Sequence, residues 1–192
     1  MRYPVKTAMK KLAFNSFVAL VTSGMLFGSI ESAQANEAVS QRNKLKSAII
    51  MNFIRYTRWP EGGLYSQSAD INVCVYANHE MEESLLKSKG KTINNKNIEI
   101  RILYRLRNLD ECHVLYTENV DRTQATRVFS IVNTKSILTI TDQNNGPDNS
   151  GIINFLDEGE RLRFEIFIEK STAANLKISS RLLNLSTNNS GR

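Results

Sequence analysis

With 192 residues, 41% of them apolar and 23% charged, the chain is long enough to bury a core and too apolar for a disordered one. Its formal charge of +6 is concentrated at the start, because residues 1–35 hold four of the 25 basic residues and one of the 19 acidic ones. The remainder carries +3, a balance that does not argue for nucleic acid as a partner.

Residues 1–35 read as an export signal. Arg2, Lys6, Lys10 and Lys11 form a basic start, residues 12–30 are mostly apolar, and Ala33-Gln34-Ala35 is a small-x-small cleavage site. Asn15, Ser16, Thr22, Ser23, Gly24 and Gly28 interrupt the apolar run, which argues against a retained membrane anchor. No cysteine stands at the cut, so no lipid anchor is expected. Cleavage after Ala35 leaves 157 residues, enough for one domain over 36–192 with an ordered core over about 44–186. Two cysteines, Cys74 and Cys112, remain in the exported part. An even count there favours a disulfide, worth about 4 kcal/mol on a disputed chain-entropy argument; two buried thiols are the alternative.

Residues 36–42 read as a loose polar leader. From Lys44 the spacing is helical, with Leu45, Ile49, Phe53 and Tyr56 in one stripe, Ala48, Ile50 and Ile54 beside it, and Lys44, Lys46, Asn52 and Arg55 mostly opposite. Pro60 stops this helix, leaving Trp59 at its exit as a lid on the core or an anchor for a partner. Residues 70–76 read as a strand and 80–89 as a helix with Met81, Leu85 and Leu86 inward, ended by Gly90. Residues 98–104, 112–117 and 136–141 read as three more strands. Asp121, or else Thr123, caps a helix running to about residue 133. Strands alternating with short helices predict an α/β fold, a three-layer domain whose mostly parallel sheet is flanked by helices.

Residues 151–169 predict an antiparallel hairpin at the C-terminal side. Asp157, Glu158 and Gly159 supply the turn, and Leu162, Phe164, Ile166 and Ile168 alternate with Arg161, Arg163, Glu165 and Glu169. The apolar set faces the core. The polar set closes a sheet surface or presents Arg161, Arg163 and Glu165 to another protein. Ser171 or Thr172 then caps a short helix, and Ser179-Ser180 starts a last one with Ile178, Leu182 and Leu185 at helical spacing.

Catalytic patterns are wanting. Cys112 and His113 are neighbours on a strand, so their side chains point to opposite faces. No zinc spacing, no HExxH and no glycine-rich phosphate loop occurs, and no cofactor is expected. In an open parallel sheet, ligands favour the crevice at the carboxyl ends of the strands. That edge would carry Asn78 and His79, Thr117 and Glu118, Asp142, and the turn-rich loop of residues 143–151.

The segments FIRYTRWPE (53–61), INVCVY (71–76), GKTINNKNIEIR (90–101), ECHVLY (111–116), ILTITD (137–142) and above all GIINFLDEGERLRFEIFIEKSTAANLKISSRLLNLS (151–186) resemble the YfiR family in order and over nearly the whole exported chain. The resemblance implies a periplasmic protein that represses a membrane-bound diguanylate cyclase of the YfiN type through its sensor domain, lowering cyclic di-GMP and biofilm formation. It implies relief by an OmpA-like lipoprotein of the YfiB type, and a homodimer. The family's first cysteine pair maps to Cys74 and Cys112; a second pair found in some members has no counterpart here. A periplasmic small-molecule-binding module is the alternative function.

Overall fold

The computed structural model describes residues 29–132, 134–142, 150–158 and 161–189. Most of the export signal expected over residues 1–35, most of the loop expected over residues 143–151, and Gly159 of the expected hairpin turn lie outside them. Two compact units divide at Gln41. Of the first, the described part is helical: helix α1, Ser29–Arg55, begins well before Lys44. The expected loose leader is therefore incorrect. Residues 31–42 contain no glycine or proline and are rich in alanine, glutamate and glutamine, all helix-compatible; Gln41 Nε2 also donates to Glu37 Oε1 one turn back, at 3.0 Å.

The second unit, residues 42–192, holds the sheet. After α1 come β1 (Thr57–Arg58), α2 (Leu64–Gln67), β2 (Asp70–Tyr76), α3 (His79–Leu86), β3 (Thr92–Ile93) and β4 (Lys96–Ile102). A 3-10 turn at Leu109–Glu111 leads to β5 (Val114–Glu118), α4 (Arg122–Val132), β6 (Leu138–Asp142), β7 (Ile153–Glu158) and β8 (Arg161–Ile166). The chain ends with α5 (Ile168–Ala173), β9 (Lys177–Ile178), α6 (Ser180–Leu183) and a 3-10 turn at Thr187–Asn189. Seven strands form one sheet in the order β3-β4-β2-β5-β6-β7-β8, while β1 and β9 pair separately. β4, β2, β5, β6 and β7 run parallel; the outer strands β3 and β8 are antiparallel to their neighbours. The predicted α/β architecture with a C-terminal hairpin is the one observed.

Helices cover both faces because both faces of the central strands are apolar. Val73 and Val75 join Ile50, Phe53, Ile54, Met81 and Leu85 in one core. Cys74 and Leu115 join Ala125, Val128, Phe129 and Val132 of α4 in the other. Asp121 caps α4 as predicted, its Oδ1 accepting the Gln124 N–H at 3.0 Å. Asn94 and Asn95, with φ of 52° and 64°, make the two-residue turn that joins β3 to β4, left-handed backbone that asparagine tolerates.

Several local expectations shift. α5 starts after Phe167, so Ser171 and Thr172 lie inside it and bond back to the Ile168 carbonyl instead of capping. Leu86 and Leu185 stay exposed, and so does Ile168, because β8 ends at Ile166 and Ile168 opens α5 instead of continuing the core-facing alternation. The buried stripe of α1 is Asn43, Lys46, Ser47, Ile50, Phe53 and Ile54, and Leu45 is half-exposed. Both stripes have helical spacing; hydrophobicity alone favours the one through Leu45, because the true first turn is polar.

Phe53 fixes that rotation. Its ring lies 5.5 Å from Phe155 on β7 and 4.9 Å, edge-on, from Phe164 on β8. Such contacts add about 0.5–1.5 kcal/mol each beyond burial. The crossover from β6 to β7 presses equally close. Ile152 N–H donates to Thr139 Oγ1 at 2.9 Å and Gly151 N–H to Thr141 Oγ1 at 3.1 Å. A Cβ on Gly151 would sit 2.6 Å from the Thr139 carbonyl oxygen. Gly151→Ala should therefore cost about 1–3 kcal/mol, read as a lowered urea midpoint. An unchanged midpoint would mean the crossover can move aside.

Candidate functional site

The chain leaves β2 for β4 on one side and returns to β5 on the other, so the strand order switches direction between β2 and β5. Asn78 follows β2 and caps α3, its Oδ1 accepting the Met81 N–H at 2.9 Å. Its own N–H donates to Glu118 Oε2, at the end of β5, at 3.3 Å. Glu118 stands opposite Asp142, the last residue of β6. Asp142 Oδ2 accepts the Tyr116 hydroxyl at 3.1 Å and is ion-paired with Lys46 Nζ. Of the five residues predicted for this edge, Asn78, Glu118 and Asp142 are thus brought together. His79 is not: its side chain is 78% exposed and Nε2 lies 3.3 Å from Glu83 on the outer surface of α3.

Lys46 was missed. A lysine on an amphipathic helix reads as solvent-facing, yet only 8% of this side chain is exposed and its partner lies 96 residues away. The polar positions Asn43, Lys46 and Ser47, spaced as one helical face that continues into Ile50 and Ile54, were the available signal. Electrostatically the cluster holds more carboxylate than cation. Burial first, then the carboxylates of Asp142 and Glu80, push Glu118 above the usual carboxylate range, while the Asn78 N–H and Lys46 oppose this. Burial and Asp142 push the Tyr116 phenol well above its ordinary value. These groups satisfy one another, so the cluster can take up a proton but presents no unpaired nucleophile.

Cys74 and Cys112 are disulfide-bonded, with Cα atoms 5.8 Å apart, and both are almost wholly buried under α4. The bridge joins the middle of β2 to the residues just ahead of β5, across the switch in strand order.

Trp59 lies at the opposite, amino-terminal edge of the strands. It stacks on Tyr65, ring centres 4.4 Å apart and planes within 4°. Tyr65 meets His113 edge-on at 5.7 Å. Trp59 borders a cavity of about 230 Å³ with Pro60, Leu64, Tyr65, Cys112 and Ile137, and a second hollow of about 630 Å³ beside Leu176 and Lys177. Its Nε1 has no hydrogen-bond partner among the described residues. His113 Nδ1 accepts the Asn72 N–H at 2.9 Å, and burial holds this histidine below its ordinary pKa and hence neutral.

Arg161 and Arg163 are exposed on β8, on the face opposite Phe164 and Ile166. Glu165 is half-buried and joins a polar ladder, accepting from Asn154 Nδ2 at 3.1 Å, while Asn154 Oδ1 accepts from Thr141 Oγ1 at 2.7 Å. The two arginines lie toward the carboxyl edge of the sheet, so the fold does not bring them to Trp59.

Two measurements bear on the cluster. Lys46→Met leaves a buried carboxylate unpaired and should cost about 3–5 kcal/mol in urea unfolding, whereas Lys46→Met with Asp142→Leu should cost less. A pKa raised in the folded chain means that folding favours the protonated acid, so stability falls as pH rises above about 4.5, the usual value for glutamate. Glu118→Gln removes that loss while keeping an acceptor for Asn78. It should raise Tm at neutral pH, with the gain shrinking to nothing below pH 4.

Among the described residues no group of three or more acidic, histidine or cysteine side chains could hold a metal ion. No described helix is long and apolar enough to cross a membrane. No curated protein matches the chain at a significant level. The family described as YfiR/HmsC-like matches residues 43–187, which takes in every strand and the buried part of α1. The chain belongs to the YfiR/HmsC-like family.

Proposed function

We propose that this chain is a periplasmic repressor that binds the sensor domain of a membrane-bound diguanylate cyclase of the YfiN type and holds the enzyme inactive. An OmpA-like lipoprotein of the YfiB type would relieve it by sequestering the repressor. The observation that carries the reading is the family match over residues 43–187, which supports a periplasmic regulator of cyclic di-GMP signalling. The buried Cys74–Cys112 bridge supports an oxidising compartment, in keeping with an export signal cleaved after Ala35. A repressor of this kind does no chemistry. It must bind the inactive sensor better than the active one, by about 5.5 kcal/mol to carry the population from 1:99 to 99:1. The self-satisfied cluster around Asp142 suits such a role. Trp59, Arg161, Arg163 and Glu165 are the side chains assigned to partner contact, and the working form is a homodimer.

The small-molecule reading has one observation in its favour, the cavity beside Trp59 with an indole N–H lacking an acceptor. A thermal-shift screen against amino acids and nucleotides, repeated on Trp59→Ala, tests it.

Deleting the gene should raise cellular cyclic di-GMP and biofilm, and restoring it should reverse both; unchanged cyclic di-GMP would overturn the repressor role. Arg161→Glu with Arg163→Glu should weaken capture of the sensor domain with little change in Tm.

A further inference from the structure

β8 is the outermost strand, and its free edge is treated differently along its length. Against β7, Ile153 pairs with Ile166, Phe155 with Phe164 and Asp157 with Leu162. The Asn188 side chain bonds Ile166 from outside the sheet, its Nδ2 donating to the carbonyl at 2.7 Å and its Oδ1 accepting the N–H at 3.3 Å. Thr187 Oγ1 donates to the Phe164 carbonyl at 3.1 Å. Backbone groups alternate sides along a strand, so Ile166, Phe164 and Leu162 all aim their polar groups outward, while Phe167 N–H turns inward to Ile152 at 2.9 Å. The carboxyl-terminal turn therefore plugs the lower half of the edge. Among the described residues nothing reaches the Leu162 N–H and carbonyl or the Phe164 N–H. On the opposite side the two-residue β3 and the Gly90–Lys91 backbone cover β4 as far as Ile98.

We propose that the open half of this edge, Arg161 to Phe164, is a strand-acceptor site that takes an extended acidic segment of a partner protein as a further strand of the sheet. Three backbone bonds, at Leu162 N–H, Leu162 carbonyl and Phe164 N–H, hold the segment. Arg161 and Arg163 flank it on one face, two residues apart, and select carboxylates at alternate positions of the incoming strand. The residue between those carboxylates falls on the face of Leu162 and Phe164 and is apolar. A second copy of the chain fits poorly, because antiparallel self-pairing about Leu162 sets Arg161 of one copy against Arg163 of the other. The site deepens the repressor reading by naming how a partner is gripped, and rests on it only for the partner's identity.

The exported chain, purified with its disulfide intact, is titrated with a synthetic hexapeptide of alternating glutamate and valine while backbone amides are followed by NMR. Shifts should appear at the Leu162 and Phe164 amides, and the lysine-for-glutamate peptide should not reproduce them. Leu162→Pro removes the outward N–H without touching the β7 ladder and should abolish the response, whereas Leu162→Ala, which keeps the N–H, should retain it. No shift at those amides, or equal shifts with both peptides, overturns the proposal. If Leu162→Pro fails to fold, Arg161→Glu with Arg163→Glu should reverse the preference toward the lysine peptide, and an unchanged preference overturns it. Capture of the cyclase sensor domain is then measured in parallel. A fall of tenfold or more for Leu162→Pro relative to Leu162→Ala supports the site. A sensor domain that the wild type does not capture, beside an intact peptide response, leaves the acceptor standing and refutes the repressor reading.

Discussion

The ring of Phe53, seated against Phe155 and Phe164, ties the helix at the front of the sheet unit to the hairpin near its end. A helix turns once in 3.6 residues, so fixing Phe53 also fixes the side facing the sheet two turns earlier. That side carries Lys46, and the result is delivery of a buried ammonium to Asp142 at the end of β6. Tyr116 and Glu118 then acquire their environment from a pair that no single element could make. The polar cluster is a consequence of an apolar contact some ten ångströms along the helix axis, at about 1.5 Å of rise per residue.

The parts legible in the sequence were those where burial repeats. Val73 to Val75, Val114 to Tyr116 and Leu138 to Ile140 are continuous buried runs, apolar but for Thr139, as strands covered on both faces must be, and the hairpin alternates with a period of two. Asp121 announced α4 through capping chemistry. The small β1–β9 sheet was not legible, since Thr57–Arg58 and Lys177–Ile178 are too short to show any period and meet only through tertiary packing. The inward face of α1 was misread for another reason: within the sheet unit it opens with Asn43, Lys46 and Ser47, and their burial depends on partners such as Ser84 and Asp142 far along the chain. Asn78, Glu118 and Asp142 could be placed at one edge of the sheet because strand ends are predictable from strands. Lys46 was lost because ion pairing across 96 residues leaves no local trace.

The molecule separates its charged and aromatic surface features by edge. One end of the strands holds the charged cluster, on one face, and the exposed arginines of β8, on the other. The other end holds Trp59, Tyr65 and two hollows. Between them the Cys74–Cys112 bridge clamps β2 to the approach of β5. A bridge there resists shear between the two strands from which the chain winds in both directions, so an event at one end meets a stiff central sheet.

Asn188 uses one side-chain amide to imitate the missing neighbour of Ile166. The short turn Thr187–Asn189 is therefore a terminator for sheet growth. Proteolysis just ahead of this turn would convert a plugged edge into an adhesive one, and its first symptom would be chain-to-chain aggregation with the core still folded.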